Sequence, residues 1–290
     1  MNPGILHVVA TPIGNLEDMS TRALQVLRQV DLILAEDTRH SARLLAHFAI
    51  STPLQAFHEH NERHRVDWAC RQLLQGRDLA LISDAGTPLI SDPGYRLVRE
   101  AHRHGITVTP VPGPSAVMAA LSTAGLPTDR FAFEGFLPAR APARRKRLQA
   151  LAREVRTLVF LEAPHRLSAC LEDMVTVFGA DREACLAREL TKRHETIRLA
   201  PLAELLAWVR VDADQCRGES VLLLAGVPED AGVEEETSLD VDRLLRALLR
   251  RLPVKEAAEL AAEASGMRRN TLYRRALVLK ESGSSPEEAL

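Results

Sequence analysis

Short apolar runs alternate with longer amphipathic segments through the first half of the chain. Leu6-His7-Val8-Val9-Ala10 reads as a strand, stopped by the turn Thr11-Pro12-Ile13-Gly14-Asn15. From Ser20 to Gln29 the apolar positions Ala23, Leu24, Val26 and Leu27 mark one face of a helix, with Ser20 as its N-cap. Leu32-Ile33-Leu34-Ala35, Leu79-Ala80-Leu81-Ile82 and Thr107-Val108-Thr109-Pro110-Val111 are further strands. They end in Glu36-Asp37-Thr38-Arg39, Ser83-Asp84-Ala85-Gly86-Thr87-Pro88 and Pro112-Gly113-Pro114-Ser115. Strand, turn and helix in repetition predict a parallel sheet covered by helices. In such sheets ligands bind outside the carboxyl ends of the strands, which is where the unusual turns of this half fall.

A second α/β unit begins near Leu126. Strands are expected at Leu158–Glu162, Ala184–Arg188 and Ser220–Ala225, and helices at Arg144–Ala152, Leu167–Phe178 and Leu202–Arg210. The stretch from Pro228 to Asp240 carries six acids and no base, the composition of a solvated linker. Beyond it the pattern is helical throughout. One helix runs over Val241–Arg250, and Pro253 opens a second with Ala257, Ala258, Leu260, Ala261 and Ala264 on one stripe. Ser265-Gly266-Met267 breaks it, and Asn270-Thr271 is placed to cap a third helix reaching about Lys280. Helix, short glycine turn, helix is the helix-turn-helix pattern. The expected domains are therefore 1–125 (α/β), 126–227 (α/β), a linker over 228–238 and a helical domain over 239–290.

Composition adjusts this picture in three ways. The 290 residues are 46% hydrophobic and 26% charged, which supports folded cores and excludes general disorder. The net charge of −2 excludes a wholly basic nucleic-acid binder but says nothing about distribution. Locally, Arg130, Arg140, Arg144, Arg145, Lys146, Arg147, Arg153 and Arg156 face only Glu134 and Glu154 over that stretch. Met267 to Lys280 holds Arg268, Arg269, Arg274, Arg275 and Lys280 with no acid. Two such clusters suit a phosphate-rich partner, although each can also be a solvated helix face. The four cysteines form no CxxC pair and read as free thiols of a reducing compartment. With no apolar run of spanning length, a cytoplasmic protein without membrane contact is expected.

The turns carry the candidate chemistry. Thr11–Asn15 is neither a dinucleotide fingerprint nor a phosphate-cradling loop, and Pro12 removes an N–H that a pyrophosphate would need. Ser83–Gly94 is the densest turn signal, and Asp84 there can hold an ammonium or a ribose. Asp92-Pro93-Gly94 should open the next helix, with Asp92 as N-cap and Pro93 at its first position. Ser115 and Ala116 present N–H groups at a helix start. Glu36, Asp37, Arg39 and His40 cluster at one strand end, and Glu162, His165 and Arg166 at another. Strand-end acids are where a general base belongs, and salt-bridged helix starts are the alternative. His58-Glu59-His60-Asn61-Glu62 reads as a solvated loop rather than a metal site, and no metal is expected.

Taken together, Thr11–Asn15, Glu36–Arg39, Ser83–Gly94, Val111–Ala116, Glu162–Arg166 and Ala187-Arg188-Glu189-Leu190-Thr191-Lys192 resemble the tetrapyrrole methylase superfamily of S-adenosylmethionine-dependent methyltransferases. The resemblance covers residues 5 to about 227 in order. It implies a two-domain class III methyltransferase fold, here with a small all-α helix-turn-helix-like domain at the C-terminus. It also implies S-adenosylmethionine bound in the cleft between domains, and a homodimer. By position, the implied cofactor contacts are Pro12, Asp84, Ala85, Thr87, Ser115, Ala116, Leu161 and Leu186. Porphyrinoid-modifying relatives usually carry a Gly-Asp-Pro turn where this chain has Ala85-Gly86-Thr87-Pro88, which favours the RNA-modifying branch. That branch implies 2′-O-methylation of a cytidine in 16S rRNA of the small ribosomal subunit. Asp37, Glu36 and Glu162 are then the candidate bases. Arg39, His165 and Arg166 would position substrate, with Arg144, Arg145, Lys146, Arg147, Arg268, Arg269 and Arg274 as RNA contacts. The competing readings are a porphyrinoid methyltransferase and a helix-turn-helix regulator whose α/β part senses a ligand.

Overall fold

The computed structural model of the protein describes residues 2–228 and 241–282. Two compact units result, one ending at Ala225 and one beginning at Gly226. The expected linker at 228–238 lies, apart from Pro228, outside the described residues.

The first unit is built on two five-stranded sheets. Sheet one contains β1 (Ile5–Val9), β2 (Leu32–Ala35), β3 (Leu54–Ala56), β4 (Leu79–Ile82) and β5 (Thr107–Val111). Their order is β3-β2-β4-β1-β5 and every pairing is parallel. The interleaved helices are α1 (Thr21–Gln29), α2 (Thr38–His47), α3 (Glu59–Leu74), α4 (Tyr95–Arg103) and α5 (Ala116–Thr123). Strand alternation sorts the core into two layers. Leu32, Leu34, Leu79 and Leu81 pack with residues of α3 and α4, while Ile33, Ala35, Ala80 and Ile82 pack with residues of α1 and α2.

Sheet two contains β6 (Phe131–Phe136), β7 (Thr157–Glu162), β8 (Glu183–Arg188), β9 (Thr196–Pro201) and β10 (Ser220–Leu224), in the order β6-β7-β10-β8-β9. Only β6 and β7 are parallel; the other pairs are antiparallel. One face carries Leu158, Phe160, Leu186, Leu222 and Leu224 against α6 (Ala141–Ala150), α7 (Leu167–Phe178) and α8 (Leu202–Val211). The other face carries Val159, Cys185, Ala187, Val221 and Leu223. It is covered by Val117, Ala120 and Leu121 of α5, so a helix that follows sheet one completes the core of sheet two.

Several expectations need correction. Three strands were not anticipated, namely β3, β6 and β9. All are sheet edges, and β6 is interrupted by a register shift between Phe133 and Gly135. The His58–Glu62 segment is not a loop, because it opens α3, where Asn61 Oδ1 accepts the His58 N–H at 2.9 Å. Asp92 does not cap α4. That helix starts at Tyr95 after Gly94, whose φ of 130° only glycine adopts readily. Its cap comes from α3 instead: Glu62 Oε1 accepts the N–H groups of Gly94 and Arg96 at 3.1 and 3.3 Å. The helix expected at Arg144–Ala152 begins earlier, at Ala141, with Pro142 in its first turn.

Among its described residues the second unit, by itself, has three helices: α9 over 241–249, α10 (Val254–Ser265) and α11 (Arg269–Ser282). Gly266, left-handed at φ 70°, ends α10. The core holds Val241, Leu245, Ala258, Ala261, Leu272 and Ala276. Of the anticipated stripe, Ala257, Ala258 and Ala261 are buried while Leu260 is exposed. Asn270 caps nothing, since α11 already includes it. Arg275 Nε holds Asp242 Oδ1 at 2.6 Å and ties α11 to α9.

Candidate active site

The carboxyl ends of the central strands are laced together. Thr11 and Gly86, after β1 and β4, exchange both backbone hydrogen bonds at 2.9 and 3.0 Å. The Thr11 hydroxyl donates to the Ser83 carbonyl at 3.1 Å. The Asp37 N–H, after β2, donates to Asp84 Oδ1 at 3.1 Å, and the Thr87 hydroxyl donates to the Pro114 carbonyl, after β5, at 3.1 Å. Gly86, at φ 82°, lets this crossing chain turn tightly. Leu89 and Ser91 adopt φ of 73° and 69°, strained backbone of a kind that gathers at functional sites.

These loops wall a cavity of about 380 Å³, within the ~300–1,000 Å³ range of small-molecule sites. Asp84, Ala85, Thr87 and Asp92 come from the loop after β4, and Ser115 and Ala116 from the start of α5. Leu161 and Glu162 close it from the end of β7, Ala187 from β8, and Ser220 from the start of β10. Register explains that convergence, because Ser220 stands opposite Glu162 on one side and Arg188 on the other. Ser115 also caps α5, accepting the Met118 N–H at 3.5 Å.

The cavity is acidic. Asp84, Asp92, Glu162 and Glu219 line it with no basic residue among the lining, although Glu162 is wholly buried against Arg166 and Glu219 is paired with Lys192, which leaves Asp84 and Asp92 as its carboxylates without an ion pair among the described residues. Burial, reinforced by the nearby charges of Glu36 and Asp84, pushes the Asp92 carboxyl up to about 6, although a hydrogen bond with Ser83 works the other way. Ser220 is 4% exposed, and its side chain falls on the same face of the sheet as Leu222, where its hydroxyl oxygen is buried without a hydrogen-bond partner. A cavity lined by carboxylates and apolar side chains fits a ligand that is cationic at one end. S-adenosylmethionine, a sulfonium that also carries an ammonium and a ribose, has that chemistry.

The residues expected from sequence divide accordingly. Asp84, Ala85, Thr87, Ser115, Ala116 and Leu161 converge on this cavity. Pro12 lines an adjoining one. Leu186 is a correction: its side chain lies on the opposite face of β8, wholly buried among Leu158, Leu222 and α7, and its neighbour Ala187 lines the cavity instead.

Among the acids, Glu162 is present but committed. Arg166 Nε lies 3.0 Å from its Oε1, and that same oxygen accepts the Ala163 N–H at 2.9 Å. Arg166 also donates to the Leu137 carbonyl, so it is a strut more than a substrate contact. Asp37 caps α2, and the backbone N–H of Arg39 holds its carboxyl below the usual range. Neither Asp37 nor Glu36 lines the cavity. Asp92 does, and sequence reasoning assigned it to a helix cap.

Arg144 is also a correction. It is 4% exposed, with Nε 2.7 Å from Asp173 Oδ2 and further bonds to the Ala139 and Ala169 carbonyls, which removes it from any RNA-facing set. Arg145 shares Asp173 yet keeps an exposed side chain, Arg147 pairs with Glu134, and Lys146, Arg39 and His165 are exposed. In the helical unit Arg268, Asn270 and Arg274 line a groove of about 830 Å³ together with Arg269, which pairs with Glu259 at 3.1 Å. Cys70 and Cys185 are buried, which pushes both thiols up to about 11 and leaves them unreactive.

Residues 6–206 match the family model of the tetrapyrrole (corrin/porphyrin) methylases. The chain belongs to that family. Residues 235–280 match the RsmI C-terminal HTH domain. A ribosomal RNA small subunit methyltransferase I of Pseudomonas aeruginosa is 60% identical over 96% of this chain and 98% of its own length. The protein of that name from Escherichia coli O157:H7 is 53% identical over 94% and 95%. Among solved structures, uroporphyrin-III C-methyltransferase of Thermus thermophilus, in complex with S-adenosylhomocysteine, superposes with a TM-score of 0.52 over 77% of this chain and 97% of its own. At 20% identity that likeness speaks for the fold alone. This family member therefore pairs the methylase fold with a helical C-terminal unit.

Proposed function

We propose that the chain uses S-adenosylmethionine to methylate the ribose 2′-hydroxyl of a cytidine in the 16S rRNA of the small ribosomal subunit. The observation that carries this reading is near-full-length identity, helical unit included, with enzymes named for that class of substrate. The acidic cavity supplies the chemistry. When bound, S-adenosylmethionine supplies a methyl group already activated on a sulfonium, so positioning dominates the barrier. Asp84, Ala85, Thr87, Ser115, Ala116 and Leu161 hold the cofactor. The remaining task is to take a proton from a weakly nucleophilic hydroxyl. We assign it to a carboxylate oxygen of Asp92, which lines the cavity and carries no helix-capping duty. Glu162 and Asp37 then act as structural supports of the loops around it.

Arg39, Lys146, Arg145, Arg147 and His165 on the first unit, and Arg268, Arg269 and Arg274 on the second, are the proposed RNA contacts. The second unit's arginines suit phosphates better than base edges. Removing residues 239–290 is expected to weaken RNA binding by roughly tenfold or more while leaving the affinity for S-adenosylhomocysteine unchanged. Equal RNA affinity for the shortened and full chains, measured by filter binding, would refute a role for the helices in RNA recognition. Homodimerisation and a cytoplasmic location complete the proposal. Sedimentation at twice the monomer mass is the expected sign of the dimer. No helix among the described residues is long and apolar enough to cross a membrane.

The function itself is tested by incubating the chain with methyl-labelled S-adenosylmethionine and small subunits that lack the modification. Label in 16S rRNA supports the reading. Label only on an added tetrapyrrole would move the chain to the porphyrinoid branch, and binding without transfer would make it a sensor.

A further inference from the structure

A second cavity, of about 310 Å³, adjoins the acidic one, and the two share Ile13, Asp84, Ala85 and Glu219 as walls. Its walls carry cations as well as carboxylates. His40 and Arg43, both exposed on α2, line it together with Lys192. Lys192 is structural. Its stem lies so close over Gly14 that a Cβ there would sit 2.3 Å from the lysine Cγ. Its ammonium is held by Glu189 at 2.9 Å and Glu219 at 3.0 Å. Burial alone would lower its pKa, yet those two carboxylates raise it above the ordinary lysine value. With Lys192 so paired, the side chains left in this cavity to meet an anion are the Arg43 guanidinium and, beside it, the His40 ring. Arg43 forms no ion pair among the described residues. The backbone N–H groups of Arg39 and His40 are already taken by the Asp37 carboxylate, so the start of α2 is not what would bind an anion.

An acidic cavity with an exposed arginine and histidine beside it suits one substrate geometry in particular. In RNA the 2′-hydroxyl and the 3′-phosphate sit on adjacent ribose carbons. A strand that presents its 2′-hydroxyl to Asp92 therefore brings a phosphate up against an acidic wall, and needs a cation beside that wall. We propose that the second cavity is a phosphate subsite, in which Arg43 and His40 hold a phosphodiester of the acceptor strand next to the methylated ribose. The proposal rests on the reading of this chain as an RNA ribose methyltransferase; Arg43 and His40 are not among the assigned cofactor contacts, although Asp84 and Ala85 wall both cavities.

The test compares the full chain with Arg43→Glu, Arg43→Lys and His40→Ala. Methyl transfer to small subunits is measured across substrate and salt concentrations, and S-adenosylhomocysteine binding by calorimetry. Arg43→Glu is expected to raise KM for the subunit by about tenfold or more, with kcat within about twofold. It should also flatten the log–log salt dependence by about 0.7, the share of one single-strand phosphate contact. Arg43→Lys should restore most of both, since it keeps the charge, and His40→Ala should raise KM by a smaller factor. The affinity for S-adenosylhomocysteine should stay as in the unaltered chain.

An unchanged KM and salt slope in Arg43→Glu, while the unaltered chain methylates the subunit, would overturn the subsite and leave the enzyme assignment standing. Weakened S-adenosylhomocysteine binding in Arg43→Glu would also overturn it, by making the second cavity part of the cofactor site. Transfer by the unaltered chain to a tetrapyrrole alone would overturn the functional reading first, and the subsite with it.

Discussion

Replacing Asp92 with asparagine should lower kcat for methyl transfer by ~10²–10⁴-fold, the usual worth of a positioned general base. The substitution keeps size and hydrogen-bonding capacity but removes the proton acceptor. The pH profile gives a second signature. The base works only when ionised, and burial with the charges of Glu36 and Asp84 puts that ionisation at about 6. Activity of the unaltered chain should therefore rise as pH climbs through about 6, and Asp92→Asn should lose that limb.

Stability should move in the opposite sense. Because the folded carboxyl titrates above its ordinary 3.8, the folded state holds the proton more tightly than the unfolded chain does. The favourable contribution of the protonated form is fully present below the ordinary value and is lost as pH rises through about 6. At neutral pH Asp92→Asn should therefore be at least as stable as the unaltered chain. A variant that is inactive and also unfolded would not fit this account, nor would one with near-normal kcat. If Asp92→Asn retained activity while Glu162→Gln abolished it with S-adenosylhomocysteine binding intact, the base would be Glu162.

The second large effect is on folding. Asp173→Ala should destabilise the α/β unit by ~3–5 kcal/mol, because it leaves Arg144 charged and buried with no carboxylate. Both side chains are about 95% buried, and Arg144 Nη2 lies 2.7 Å from Asp173 Oδ2. Replacing both residues by apolar ones of similar volume, as in Arg144→Met with Asp173→Leu, should cost far less and can be neutral. Urea unfolding followed by tryptophan fluorescence measures this cleanly, since the only two tryptophans, Trp68 and Trp208, both belong to the α/β unit. A midpoint for Asp173→Ala close to that of the unaltered chain would show that the pair is dispensable.

What the sequence made legible follows from how many neighbours each element has. The interior strands β2, β4 and β10 are buried at every position, so they appear as near-continuous apolar runs such as Leu32–Ala35 or Leu79–Ile82. Of the four edge strands only β5 was legible. β3 has three residues, β6 bends at Gly135, and β9 alternates half-buried and exposed positions, a pattern that loops share. Most of the cavity was readable because its residues follow strands directly and are marked by turn chemistry, as at Asp84-Ala85-Gly86-Thr87 and Pro114-Ser115-Ala116.

What was missed depends on contacts distant in the chain. Asp92 has the local features of a helix cap, and only the reach of Glu62 from α3 takes over that duty. Ser220 begins an apolar strand, and it reaches the cavity wall only because β10 lies between β7 and β8. Arg144 looks like its basic neighbours until α7 brings Asp173 beneath it. The same limit applies to Leu186 and Ala187, where a strand period of two decides which faces the cavity and one residue of offset inverts the answer.

The position of the transferred methyl group tests the central claim most directly. Small subunits lacking the modification are methylated with the full chain, and the 16S rRNA is hydrolysed in alkali and examined by mass spectrometry. A methyl on a ribose 2′-oxygen protects the following phosphodiester, because that cleavage needs a free 2′-hydroxyl. The account predicts one alkali-resistant dinucleotide, with the methyl on the ribose of a cytidine. A methyl on a base, or rRNA that remains unlabelled under conditions where a tetrapyrrole is methylated, would contradict it.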